Sequence, residues 1–594
     1  MIHHQEMNNV SGLKHNYLWY TGIWTYPPLV ALVSLIVQAL ELPIPATWQY
    51  VIVWGLPLFY PIIITWTNFE RQQRGQTDFS FAATYGLAAK NEKHSKAYLE
   101  AAYPDIPTQY ASKIPTGLVL GKHKGKYAYC PIGKDGIGVT LLGTPGSGKS
   151  VLVLSWLYSM MFRDEIAKKG HSKPGRAYNY FLVDIKGELF EKLLGIKAQD
   201  YRAKDYLDFH VIAPAVPESW GYDVFYKIHR EDVTETERLK AITDIADALV
   251  VATGDNPYFS DNAKKLLSGI FLYFSYLNYD FLPIVQTIMR TNLNELVTAI
   301  VADAENQNMG IVLDKLKGFV GKEDNESIAD IETTMKSYLE VFSYPELRWL
   351  LHDNPNKTSP AALNDGVTNL DLAIHESMLV TYQPFFRLVT MQILRHCESE
   401  FREDDDRHTI LVFEEAARIG QINGADSALM TLRSKHTSLV LSYQTIASFK
   451  DIYPKEKAQA LLNLCELKIF LSGSGDKDTT DYVSGMVGDY TTDRMSYKRK
   501  GFMGGKSDGS YSPERRPIVE ARDMMELRER GEAIAFVYGH YIRCKKLRYF
   551  EDPYIAPILK RRQEELAAKN KTRAQAEPIN EEKENETRKE RQEE

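Results

Sequence analysis

Between an apolar run ending at Leu142 and another beginning beyond Ser150, the chain reads Gly143-Thr144-Pro145-Gly146-Ser147-Gly148-Lys149-Ser150. This is G-x-x-x-x-G-K-[ST] in full, set between a strand pattern and a helix pattern, the context that makes the spacing a phosphate-binding signal. Glycines let successive backbone N–H groups turn inward at the amino end of a helix, where the dipole also favours anions. Lys149 is expected to reach the β- and γ-phosphates of ATP. Ser150 is expected to hold Mg²⁺, which neutralises charge as the bond to the γ-phosphorus breaks. A lookalike, Gly504-Gly505-Lys506-Ser507, is rejected: Lys500 stands five positions before Gly505, so the loop length is wrong, and no apolar strand precedes it. With Lys498, Arg499, Arg515 and Arg516 nearby, that segment reads as an exposed basic loop, with nucleic-acid contact as the functional alternative.

A P-loop needs a carboxylate at the end of a neighbouring strand to organise the metal and the attacking water. Thr409-Ile-Leu-Val-Phe-Glu414-Glu415 supplies two. Glu414 is expected in the Mg²⁺ shell, and Glu415 is expected to polarise the water as general base. Paired acids after a strand also occur in ordinary loops. Gln444 closes the run Leu439-Val-Leu-Ser-Tyr-Gln444, a position from which an amide can sense the γ-phosphate or orient water. Arg433 precedes that run; in a ring of subunits it can reach a neighbour's nucleotide and stabilise transition-state charge. A surface salt bridge is the alternative.

The elements that must hold these residues are legible as patterns. Apolar runs before Gly143, in YNYFLVDIKGELF and in FHVIAPA alternate with helical stretches, which predicts an α/β fold with a parallel sheet and crossover helices. From 232 to 354 the apolar residues recur at helical spacing, as in DNAKKLLSGIFLYFSYL, which predicts an inserted all-α domain. The strand pattern resumes with SMLVTYQ, TILVFEEAARIG, SLVLSYQ, LKIFLSG and EAIAFVYG. The resulting division is an anchor over 1–75, sheet-domain halves at 76–231 and 355–554 flanking the insert, and a tail over 555–594.

The anchor consists of two uncharged apolar runs, 23–40 and 48–66, each near the length that spans a bilayer, joined by a short Pro-containing turn. They predict a transmembrane hairpin. Lys14, Arg71 and Arg74 lie outside it and no Lys or Arg lies inside the turn, so both ends are expected in the cytoplasm. A cleaved signal peptide fits less well, because the first run lacks a strongly basic start and a second span follows. The tail is dense in both charge signs and poor in large apolar residues, which predicts a solvated helix fading into disorder, or a docking tail for a partner. The net charge of −7 argues against a surface that grips nucleic acid by bulk electrostatics, so any DNA contact must be local. Cys130, Cys397, Cys465 and Cys544 form no C-x-x-C pair and suggest neither a zinc site nor a disulfide framework.

The ordered set Gly143 to Ser150, Asp184-Ile-Lys186-Gly187-Glu188, Phe413-Glu414-Glu415-Ala-Ala-Arg-Ile-Gly420 and Leu439 to Gln444, together with the amino-terminal hairpin, resembles the TraG/TraD-like type IV secretion coupling proteins. The stretches NLCELKIFLSGSGDKDTTDYVSGMVGD and GEAIAFVYGHYIRCKKLRYFEDP extend the resemblance from Gly12 to Pro553. It implies a RecA-like nucleotide-binding domain with an inserted all-α domain, hexamers under the bacterial inner membrane, and ATP and Mg²⁺ as cofactors. It implies Lys149 and Ser150 as nucleotide and metal ligands, Glu415 as catalytic acid and Arg433 as a trans-acting arginine. Relaxase-bound DNA, effector proteins and secretion-channel components are the implied partners. The family usually carries Asp-Glu where this chain has Glu414-Glu415, which places the longer arm of Glu414 at the metal position. Two alternatives remain: an FtsK-like DNA translocase, which usually has more spans, a long linker and a winged-helix reader, and a mainly non-enzymatic docking platform whose P-loop drives assembly.

Overall fold

Runs such as Gly138–Leu142, Tyr178–Asp184 and Thr437–Tyr443 are apolar at successive positions, the pattern of strands covered on both faces. In the computed structural model the described residues are 30–39, 45, 47–49, 51–54 and 96–568, except 134, 175–176, 252–256, 321–325, 365–368, 400–406, 421–424, 473–475, 498–508 and 567. Their strands, in chain order, are β1 (Ala111–Ser112), β2 (Leu118–His123), β3 (Lys126–Cys130), β4 (Gly138–Leu142), β5 (Tyr178–Asp184), β6 (Phe209–Ile212), β7 (Gly221–Tyr222) and β8 (Lys357–Thr358). They continue with β9 (Asn369–Ala373), β10 (His408–Phe413), β11 (Thr437–Tyr443), β12 (Cys465–Phe470), β13 (Asp489–Tyr497), β14 (Gly509–Pro517), β15 (Glu532–Val537) and β16 (His540–Lys546).

Twelve of them form one sheet in the order β1-β3-β2-β16-β15-β12-β4-β11-β10-β5-β9-β6. From β12 to β6 every pairing is parallel, and from β12 outward to β1 every pairing is antiparallel. Alternate residues of the central strands feed two different cores. Phe181, Val183, Leu411, Phe413, Leu439 and Leu441 face one; Tyr180, Leu182, Ile410, Val412 and Val440 face the other. The sheet is therefore sandwiched, as the twofold side-chain period of a strand requires.

The helical stretch leaves and re-enters the sheet domain beside a two-residue parallel bridge, Gly221 to Lys357 and Tyr222 to Thr358. Between these lie Glu235–Leu249, Tyr258–Tyr276, Phe281–Arg290, Leu293–Asn306 and Glu326–Leu339. Local chemistry starts the first of these: Thr234 and Glu237 close a capping box. Phe225 packs edge-on against Phe271 and Phe281, both at 5.9 Å, so the helices share a core with one face of the sheet.

Three sequence expectations are corrected. SMLVTYQ is no strand: Leu379 opens a helix that runs to Ser399. Leu379, Tyr382, Phe385, Phe386, Val389 and Ile393 are buried at helical spacing while Val380 is 86% exposed, so the 3.6-residue period prevails over the apolar look of a short window. The strand in that part of the chain is β9, where Asp371 interrupts the apolar run and hides it. Arg515 and Arg516 belong to β14, paired in register with Thr491 and Tyr490 of β13, rather than to a loop. Finally, residues 555–566 are helical with Ile555 and Ile558 buried, and Arg562 reaches Glu165 at 3.2 Å, so the tail's first turns are docked. Residues 569–594 and 504–507, and most of the two predicted membrane spans, lie outside the described residues. No helix among the described residues is long and apolar enough to cross a membrane. Leu32, Leu35, Ile36, Trp48, Val51 and Trp54 within the two runs are exposed.

Candidate functional site

The glycine-rich loop leaves the carboxyl end of β4 and enters the helix Lys149–Met161, whose interior residues are almost all buried. Gly146 and Gly148 adopt left-handed φ angles of 72° and 97°, which glycine accepts without strain. The loop is fastened on both sides. The Gly143 N–H donates to the Tyr443 carbonyl of β11 at 3.2 Å, and the Leu471 N–H beyond β12 donates to the Leu142 carbonyl at 2.9 Å. Thr144 adds a backbone bond of 3.2 Å and a hydroxyl contact of 2.7 Å to Ser472. Lys149 is buried, its ammonium donates to the Gly143 carbonyl, and burial lowers its pKa against the pull of Glu415 and Glu414.

Glu414 and Glu415 follow β10, which is separated from β4 only by β11. The Ser150 hydroxyl donates to Glu414 Oε1, so the P-loop helix and the β10 acid meet directly. The arm of glutamate suffices for this contact. Burial pushes the Glu414 carboxyl up to about 7; the Ser150 hydrogen bond and Lys186 oppose the rise, and Asp184 and Glu415 add to it. Glu415 is buried with a left-handed φ of 52°. Its Oε2 lies 3.0 Å from Arg418 Nε and its Oε1 3.9 Å from Lys186 Nζ.

Asp184 ends β5 beside β10 and is wholly buried. It accepts N–H groups from Gly187 at 3.0 Å and Leu189 at 2.6 Å, with longer bonds from Lys186 and Phe190. It therefore shapes the turn that projects Lys186 toward Glu415. Gln444, half-buried, follows β11 between the P-loop strand and the acid strand.

Arg433 is elsewhere. It precedes β11, its carbonyl accepts from Gly136 N at 2.8 Å, and its Nη1 donates to Glu466 at 2.8 Å. Glu466 in turn accepts from Gly138 N at 2.8 Å, at the start of β4. Arg433 thus sits at the amino ends of strands whose carboxyl ends carry the P-loop, a strand length of roughly 16 Å away. Its side chain is 53% exposed and does not join its own chain's site.

The residues present fit a magnesium nucleotide. A Cβ on Gly143 would crowd Leu471 Cβ at 3.1 Å and Ser147 Cβ at 3.2 Å, so glycine lets the loop turn tightly there. The metal position offers a hydroxyl and a carboxylate, both hard oxygen donors. Among the described residues no group of three or more His, Cys, Asp or Glu could hold a metal. That donor set suits Mg²⁺, which binds through one or two protein oxygens and completes its shell with phosphate and water.

Sequence reasoning gave Lys186 and Asp184 no individual role, although charged residues at the end of an apolar strand were visible. Lys546 was missed altogether: at the end of β16 its ammonium donates to the Ser147 carbonyl at 2.7 Å and the Leu471 carbonyl at 3.0 Å. No local signal marks a residue nearly 400 positions from the loop it supports.

A family profile described as type IV secretory system conjugative DNA transfer matches residues 179–576, more than half of the chain. The chain belongs to this family. A curated relative, the conjugal transfer protein TraG of Rhizobium radiobacter, is 25% identical over 210 residues, 35% of this chain and 32% of its own length. The alignment with this relative thus spans about a third of it. Among solved structures, unbound TrwBdeltaN70, a bacterial conjugative coupling protein, matches with a TM-score of 0.53 at 16% identity over 74% of this chain and 91% of that one. The plasmid coupling protein TrwB in complex with ADP and Mg²⁺ matches with a TM-score of 0.54 at 15% identity over 75% of this chain and 93% of that one. At such identities the likeness is one of fold, a mixed α/β architecture.

Proposed function

We propose that this chain is the coupling ATPase of a type IV secretion or conjugation system, anchored in the bacterial inner membrane through 23–40 and 48–66. In this reading it binds ATP with Mg²⁺, hydrolyses it, and uses the cycle to pass relaxase-bound DNA or effector proteins to the secretion channel. The observation that carries the reading is the Ser150–Glu414 hydrogen bond, which joins the P-loop to a strand-end acid with Glu415 next in line. The TrwB complex with ADP and Mg²⁺ supports the choice of ligands.

The chemistry assigns a task to each side chain. Backbone N–H groups of Gly143 to Ser150, with Lys149, hold the phosphates. Ser150 and Glu414 would hold Mg²⁺, which when bound neutralises phosphate charge. Glu415, oriented by Lys186 and Arg418, takes the proton of the attacking water. Gln444 positions that water from the end of β11. Arg433, half-exposed and remote from its own P-loop, serves a neighbouring subunit's nucleotide in a hexamer.

The test is steady-state phosphate release by the purified full-length chain, with and without single- or double-stranded DNA. Mg²⁺-dependent turnover stimulated by DNA is the expected result. Nucleotide binding without turnover would favour a docking platform and overturn the motor.

A further inference from the structure

Beside the P-loop lie two cations, Arg528 and Lys546, to which the proposed hydrolysis gives no role. The helix Ala521–Arg530 ends beside Gly146: a Cβ built there would stand 3.0 Å from Arg528 Nη2 and 3.3 Å from its Cζ. The guanidinium therefore rests against bare loop backbone. Lys546 approaches from the end of β16, its ammonium occupied by the Ser147 and Leu471 carbonyls. Burial, with repulsion from Arg548 and Arg528, brings the Lys546 pKa down to about 8 against the pull of Glu532.

The pairing of nearby charges is uneven. Arg522 and Arg530, on the same helix as Arg528, both pair with Glu526, and Arg548 pairs with Glu551 at 3.0 Å. Arg528 is exposed, and among the described residues no carboxylate pairs with it or with Lys546. Adjacent unneutralised cations repel one another, and an anion held in the same loop relieves that repulsion. A guanidinium presents a planar fork of donors that matches phosphate geometry, whereas Lys546 has already committed donors to two carbonyls.

Resting on the P-loop reading above, we propose that Arg528 is a phosphate-contacting residue of its own chain's nucleotide site, donating to the polyphosphate of the bound nucleotide, with Lys546 as the positioning residue that fixes the Ser147 peptide. The two residues come from the helix and strand flanking β15, so the carboxyl-terminal part of the sheet domain completes a site otherwise built between 143 and 444. Arg528 acts in cis, in contrast to Arg433 at the opposite end of the sheet.

The experiment measures affinity of the full-length chain for a non-hydrolysable ATP analogue with Mg²⁺, and for AMP, together with KM and kcat for ATP. Arg528→Gln is expected to weaken analogue binding and raise KM about tenfold, with its thermal unfolding unchanged, as loss of a charge-assisted hydrogen bond requires. Arg528→Lys, which keeps the charge without the fork, should recover part of that loss. AMP, which lacks a polyphosphate, should bind wild type and Arg528→Gln alike. Wild-type affinity in Arg528→Gln overturns the proposal, as does an equal loss for AMP or a failure of lysine to restore anything. A wild-type chain that binds no analogue, or a Lys149→Ala variant that binds it normally, instead overturns the P-loop reading.

Discussion

Replacing Glu415 with glutamine should separate catalysis from stability. The substitution keeps the shape of a side chain that is 6% exposed and removes its charge. Its cationic partners, Lys186 and Arg418, are 42% and 37% exposed, so the charges left behind remain solvated. Each such pair contributes about 0.2–1 kcal/mol. The stability loss from the two is then at most about 2 kcal/mol, reduced further because a neutral amide has no charge to desolvate in a buried position. Loss of a general base costs about 10²–10⁴ in rate, roughly 3–5 kcal/mol of barrier. The kinetic effect is the larger, and the variant should stay folded. Phosphate release at saturating Mg²⁺ and ATP should fall at least a hundredfold, while a fluorescent ATP analogue binds as in wild type and the unfolding midpoint moves little. Hydrolysis within about threefold of wild type, or loss of analogue binding, would refute the assignment of Glu415 as the proton acceptor.

Lys149→Ala should abolish hydrolysis and transfer without altering nucleotide-free thermal unfolding; transfer by that variant would overturn the motor mechanism. Glu532→Ala should cost about 3–5 kcal/mol, because it leaves the fully buried Arg543, 3.0 Å away, without its counter-charge; a denaturant midpoint equivalent to under about 1 kcal/mol would contradict this. Burial raises the Glu532 pKa, but Arg543 and Lys545 outweigh it and hold the carboxyl below its usual value. Its stabilisation is therefore present above the unfolded pKa and lost as pH falls through the folded one, so wild type should lose stability in acid and Glu532→Ala should lose less. Asp371 shows the opposite sign. Fully buried with no hydrogen-bond partner for either carboxylate oxygen, it is held well above the carboxylate range by burial, with Asp184 and Glu414 adding to the rise. Its penalty is absent below the unfolded pKa and grows as pH rises through the folded one, so Asp371→Asn should flatten the decline of stability toward neutral pH; an unchanged pH profile would exclude this.

Much of the glycine-rich loop and its setting was legible because it is local. Gly143 to Ser150 are contiguous, and their spacing together with the strand before them and the helix after them carries the signal. Glu414-Glu415 and Gln444 close apolar runs and could be placed at strand ends. The error at SMLVTYQ has a definable cause: seven residues hold too few turns to distinguish a buried strand from the start of a helix, while Asp371 masked the true strand β9.

What the linear order of residues determined was the glycine-rich loop and the strand-end acids, since each needs only a few neighbouring positions. The tertiary structure decided which of these groups meet. Parallel pairing of β4, β11 and β10 brings Ser150 to Glu414 across 264 positions and places Arg433 at the opposite end of the same strands. The helix Ala521–Arg530 and the antiparallel strand β16 return Arg528 and Lys546 to the loop. Sheet order and strand direction are set by long-range burial on two faces and by which backbone edges find partners, so no short window of sequence contains them.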